Sequence, residues 1–200
     1  MPGTGIAAAR LKEITMRKIV SGLFISLDGV IEAPHEWHFP WFNDEMGAAV
    51  DAQMKASDTM LLGRVTYQEF AGFWPNQSGD EVDIAGYMNN TPKIVVSNTL
   101  TPDDLTWQNS RLVTGNVVEQ LAELKQQPGK DISITGSATL VRSLLRDGLL
   151  DELRLLVHPI VVGKGKHLFT EESPQTPLKL VEATTFQTGA LNLIYQPDRS

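Results

Sequence analysis

Three strand-like runs in this 200-residue chain stop at glycine or serine: Thr59 to Leu62 before Gly63-Arg64, Lys93 to Val96 before Ser97-Asn98, and Asp131 to Thr135 before Gly136-Ser137. Short, largely apolar runs of this kind are what strands buried on both faces require. The first and third lead into helix starts, where unpaired backbone N–H groups and the helix dipole favour an anion. A fourth segment, Ser26-Leu27-Asp28-Gly29, closes an earlier strand in a turn. This confines the chain to a helix-covered, mostly parallel sheet, with strand ends free to hold a phosphate-bearing ligand.

The rest of the pattern completes that architecture. Lys18 to Ser26 is strand-like, His35 to Phe42 is an aromatic, proline-containing loop, and Asn43 or Asp44 caps a helix reaching about Ala56. A helix beginning at Thr66 breaks near Pro75 and the polar stretch Asn76 to Asp80. Arg111 to Val113 is a further strand, and Val117, Val118, Leu121 and Leu124 mark one face of a helix over Val117 to Gln127. Ala138 to Asp147 is helical and ended by Gly148, Glu152 to Val157 is a strand, and Leu178 to Thr185 with Ala190 to Tyr195 form a closing antiparallel pair. The fold class is α/β, and no repeat or linker divides residues 16–200. The Ala/Gly-rich segment 1–15 precedes a second methionine, Met16, and is read as an extension outside the fold.

A net charge of -7 with scattered basic residues argues against nucleic acid or an anionic membrane surface as partner, while leaving room for a local phosphate pocket. The chain has no cysteine, which excludes disulfides, a thiolate nucleophile and thiolate metal ligands, and fits a cytoplasmic protein. No run is long and apolar enough to span a membrane. His35 and His38 share the aromatic loop, and His158 and His167 lie far downstream with no acidic residue at ligand spacing. They read as isolated surface histidines, and no metal is expected.

Taken together, Ser26-Leu27-Asp28-Gly29, Gly63-Arg64 with Thr66-Tyr67, Val96-Ser97 and Gly136-Ser137-Ala138 resemble the dihydrofolate reductase superfamily. The last third narrows the resemblance. Gly148-Leu149-Leu150-Asp151-Glu152-Leu153, then His158-Pro159-Ile160-Val161-Val162-Gly163 with Gly165 and Leu168-Phe169, is similar to the C-terminal reductase domain of the bifunctional riboflavin-biosynthesis deaminase/reductase and its stand-alone relatives. The likeness runs from about Arg17 to Tyr195. It implies a dihydrofolate-reductase-like three-layer sandwich, with a mostly parallel central sheet and an antiparallel C-terminal strand pair. It also implies a homodimer and NADPH held at the carboxyl ends of the strands.

Carried over residue by residue, the resemblance places Gly63 against a pyrophosphate and Arg64 on the adenosine 2'-phosphate, with Thr66 adding a hydroxyl. Ser97, with Asn98 beside it, is the second contact to the 2'-phosphate region. Gly136, Ser137, Ala138 and Thr139 form the turn near the nicotinamide half, Ser137 standing where a second glycine is usual. Hydride reduction also needs a proton donor. The helix after the aromatic loop supplies it in the superfamily, so Asp44 and Glu45 are the candidates, Asp44 slightly ahead. Asp28 serves either the first-strand turn or proton transfer, and Trp37, Trp41 and Phe42 are candidate walls for a flat heterocycle.

Two departures bear on the substrate. The stretch Leu153-Arg154-Leu155-Leu156-Val157 lacks the threonine of pterin-reducing members, and Thr135 stands where riboflavin-pathway reductases commonly carry an acidic residue. The leading expectation is an NADPH-dependent reductase of a small heterocyclic or sugar-derived C=O or C=N group, resembling 5-amino-6-(5-phosphoribosylamino)uracil reductase. The alternatives are an NADPH-binding protein without turnover, a dihydrofolate reductase, and a ligand-free dimer module using Leu155 to Val162 as its interface.

Overall fold

The computed structural model describes residues 16–77 and 82–199; the extension read at 1–15 and part of the polar stretch at 76–80 lie outside the described residues. In chain order the strands are β1 (Ile19–Ser26), β2 (Ser57–Gly63), β3 (Lys93–Val96), β4 (Ser110–Val113), β5 (Asp131–Ile134), β6 (Glu152–His158), β7 (Leu178–Thr185) and β8 (Leu191–Pro197). The helices are α1 (Asp44–Ala56), α2 (Arg64–Phe73), α3 (Val82–Asn90), α4 (Val117–Gln126) and α5 (Ala138–Arg146). One sheet holds all eight strands in the order β4-β3-β2-β5-β1-β6-β8-β7. β1 to β6 pair in parallel, and β8 runs antiparallel to both β6 and β7.

Alternate residues of the central strands enter different cores. Leu61 of β2 packs with Leu121 and Leu124 of α4 and Val141 and Leu144 of α5, while Met60 and Leu62 face Tyr67 of α2 and Met88 of α3. On the α2 and α3 side, α1 covers β1 and β6 through Met46, which clusters with Phe24 and Leu156. Burial on both faces explains why the strands show no polar alternation, and the result is a three-layer sandwich. In α5, Leu140, Val141, Leu144 and Leu145 are buried at three- and four-residue steps. Gly148, at φ +71°, reverses the chain behind that helix, and Leu149 N–H bonds the Leu144 carbonyl.

At the amino edge, buried Arg17 ties the strand ends together. Its guanidinium bonds Asp58, the Thr59 hydroxyl at 2.7 Å and the Lys130 carbonyl at 2.7 Å. This network belongs to the end of the sheet opposite the junctions picked out in the sequence.

Several sequence expectations are corrected. α3 is a helix the pattern does not show, because Gly86 and Asn89-Asn90 are poor helix formers; tertiary packing of Ala85 and Met88 holds it. α2 begins at Arg64 rather than Thr66, with Gly63 as its N-cap. β5 ends at Ile134, which leaves Thr135 in the following junction. Leu155 to Val157 lies within β6, hydrogen-bonded between β1 and β8, so the strand part of the Leu155 to Val162 segment offers no free edge.

Candidate active site

β5 is recessed between longer neighbours. Its last residue, Ile134, sits opposite Ser21, so β1 from Gly22 to Ser26 is paired by β6 alone, and β2 runs on to Gly63. The notch lies at the carboxyl edge, with α2 and α5 both starting beside it. Two glycines lock these starts together. A Cβ on Gly63 would lie 2.8 Å from Ser137 Oγ, and one on Gly136 would lie 2.9 Å from Thr66 Cγ2. Each junction therefore packs its glycine against the other's hydroxyl residue. Ser137 holds a left-handed backbone at φ +77°, and its Oγ accepts the Leu140 N–H at 3.2 Å.

The structure brings Gly63, Thr66, Gly136, Ser137 and Ala138 into this one junction, and Ser97 directly follows β3, the strand next to β2. Gly63 offers no side-chain cap, so the first N–H groups of α2 are left for another acceptor. Arg64, the first residue of α2, is exposed and donates to Gln68 Oε1 at 3.2 Å. Ser97 is buried, and its Oγ accepts the N–H groups of Thr99 at 3.1 Å and Leu100 at 3.0 Å. Its oxygen is thus occupied in building its own turn. Asn98 Oδ1 accepts from Thr114 Oγ1 and Gly115 N, bracing the loops after β3 and β4. Thr139 is exposed, with Arg142 Nη2 3.4 Å from its hydroxyl.

The residues read for substrate and proton transfer divide differently. Asp28 accepts the Ser26 hydroxyl at 2.6 Å, Val162 N–H at 3.1 Å and Gly163 N–H at 2.8 Å. Those donors, Ser26 first, hold its carboxyl down at about 2, so Asp28 is a latch between two loops and stays ionised. Glu45 accepts Gln187 N–H at 2.7 Å and Asn43 Nδ2 at 3.0 Å, which fastens the start of α1 to the β7–β8 turn and lowers its pKa. Asp44 stands exposed at the first position of α1, whose N-cap is Asn43. Trp37 is packed inside, 7% exposed, with Nε1 bonded to the Glu32 carbonyl, while Trp41 is half-buried and Phe42 exposed. Thr135 keeps a buried Oγ1 with no hydrogen-bond partner at the end of β5.

The histidine reading fails for two of the four. His38 and His158 are buried, their ring centroids 5.9 Å apart, walled by Phe24, Trp37 and Trp41. Burial pushes His38 down to about 4, with His158 and His35 adding to the effect. It lowers His158 too, against the backbone of Leu156 and Ile25. A signal was present in the chain: His158 follows Leu156 at strand parity, so the two share a covered face.

Comparison with known proteins fits this geometry. The model of the RibD C-terminal domain matches residues 17–192. The chain belongs to the RibD C-terminal domain family. Protein YyaP of Bacillus subtilis is 30% identical over 184 residues, covering 91% of this chain and 96% of that protein. A deaminase/5-amino-6-(5-phosphoribosylamino)uracil reductase from Thermotoga maritima superposes with TM-score 0.61 at 14% identity, over 92% of this chain and 57% of that one. Dihydrofolate reductase from Enterococcus faecalis, solved with NADP(H), gives TM-score 0.59 at 16% identity, over 90% of this chain and 96% of that one. The fold is thus dihydrofolate-reductase-like. No described helix of this family member is long and apolar enough to cross a membrane.

Proposed function

We propose that this family member is an NADPH-dependent reductase acting on a small heterocyclic or sugar-derived C=O or C=N group, of the kind reduced by 5-amino-6-(5-phosphoribosylamino)uracil reductase. The observation that carries the reading is the interlock of Gly63 with Ser137 and of Gly136 with Thr66, which sets two helix starts side by side above the recessed β5. Such a place suits a dinucleotide: amides and a helix dipole meet pyrophosphate, and the exposed Arg64 guanidinium matches a 2'-phosphate. Bound there, NADPH supplies hydride to the substrate carbon.

This chain's own residues do the remaining work. Gly63 and Gly136 allow close backbone approach, Arg64 selects the phosphorylated adenosine, and Asp28 fixes the turn after β1 against residues 162 and 163. Trp41 packs beside Met46 and Leu156, and Phe42 lies edge-on to the His38 ring. The homodimer that the resemblance implies suits β7, an edge strand of the sheet, which is exposed from Lys179 to Thr185.

NADPH oxidation followed with 5-amino-6-(5-phosphoribosylamino)uracil and with dihydrofolate tests the reading. Turnover with the first and not the second is the expected result; a protein that binds NADPH and oxidises it with neither is a cofactor-binding protein. That second reading is favoured by one observation, the engagement of Glu45, one of the two candidate acids, with Gln187 N–H.

A further inference from the structure

We propose that His38 supplies the proton that completes the reduction, with His158 positioning it, through two imidazoles buried side by side between the aromatic loop and the end of β6. The proposal rests on the reductase reading above. His38 lies in the loop between β1 and α1, and His158 is the last residue of β6, so both stand at the carboxyl edge where the notch opens. They are 7% and 0% exposed, and each keeps one ring nitrogen without a partner, Nδ1 of His38 and Nε2 of His158. Native interiors seldom leave such atoms unpaired unless a water, ligand or reacting group takes them.

The tautomer of His158 is fixed by its surroundings. Nδ1 lies 2.8 Å from the Leu156 carbonyl, which only accepts, so Nδ1 carries the hydrogen and Nε2 is a bare lone pair. A bare lone pair there favours the His38 form with hydrogen on Nδ1, the form able to pair with it through one bridging water or substrate atom. His38 is faced by Phe24, Phe39, Phe42 and His158, with His35 acting on it by charge; among the described residues no carboxylate bonds it. It is therefore held as a neutral imidazole, one nitrogen able to give a proton while the other receives one.

The proton balance closes. Once hydride has reached the carbon of the C=N or C=O group, its neighbouring nitrogen or oxygen carries the negative charge. The His38 Nδ1–H bond breaks, an N–H or O–H bond forms on the product, and Nε2 takes a proton from solvent. His38 ends neutral, in its other tautomer. No carboxylic acid is required, in keeping with the engagement of Glu45 and the position of Asp44.

Two measurements test this. In nitrogen-15 spectra of the labelled protein without cofactor, His38 is expected as the Nδ1–H tautomer, and His158→Phe, which keeps a ring but removes the lone pair, is expected to shift His38 away from it. A His38 carrying its hydrogen on Nε2 overturns the proposal. In the NADPH oxidation assay, His38→Asn and His38→Gln are expected to lower kcat about a hundredfold while KM and NADPH affinity hold, with free imidazole restoring part of the turnover of His38→Gly. Parental kcat in both variants overturns it. A parent protein that oxidises NADPH with neither substrate instead defeats the reductase reading itself, before any histidine is changed.

Discussion

At the residue scale, one glycine and one aspartate carry sharp consequences. Gly136→Ala sets a methyl against Thr66 Cγ2, a β-branched side chain on a helix and unable to yield as a long flexible one would. NADPH affinity is expected to fall at least about tenfold, ~1.4 kcal/mol by calorimetry, with the protein still folded. Gly22→Ala is the control, since the atom it meets is the far end of Gln53; it is expected to leave NADPH binding unchanged. Asp28 carries a pH dependence whose sign follows from its depressed pKa. Its hydrogen bonds add stability above the ordinary aspartate value of 3.8, and that contribution is lost as pH falls from there through about 2. Melting temperatures of the parent and Asp28→Asn are expected to converge over that window; a constant gap would show that the latch is not electrostatic. The sequence alone exposed Gly63, Gly136 and Arg64, because a strand ending in glycine before a helix is a local pattern. It could not expose His38 and His158, because their meeting depends on a loop 120 positions away folding back on β6.

At the element scale, α5 holds the junction in place, since Ser137 caps its start and its buried face belongs to the larger core. Leu144 is 2% exposed there, so Leu144→Ala is expected to cost about 3 kcal/mol in denaturant unfolding. A loss under about 1 kcal/mol would mean that α5 is not anchored through this face. The strands were readable from their apolar runs and α5 from its three- and four-residue steps. α3 was not, since Gly86 and the asparagines at its end are poor helix formers, and the segment is held by packing of Met88 with Met60, Leu62, Tyr67 and Val95. The boundary of α2 was misplaced for a related reason: Thr66 has the chemistry of an N-cap, but the backbone turns at Gly63, two residues before Val65 completes the first exposed edge of the helix.

At the scale of the whole molecule, the sheet order places each long parallel strand so that its carboxyl end reaches a single edge, and β5, recessed in the middle, converts that edge into a notch. The acidic net charge of -7 does not oppose an anionic ligand there, because Arg64 begins α2 and two carboxylates, Asp28 and Glu45, are spent on backbone N–H donors. The central claim is that separate junctions of the chain grip one phosphorylated dinucleotide. Calorimetric titration of the protein with NADPH, beside NADH, tests it most directly. Saturable NADPH binding at least about tenfold tighter than NADH, with the difference abolished in Arg64→Ala, is the expected result. No heat with NADPH at millimolar excess, or equal affinity for both nucleotides, would contradict it.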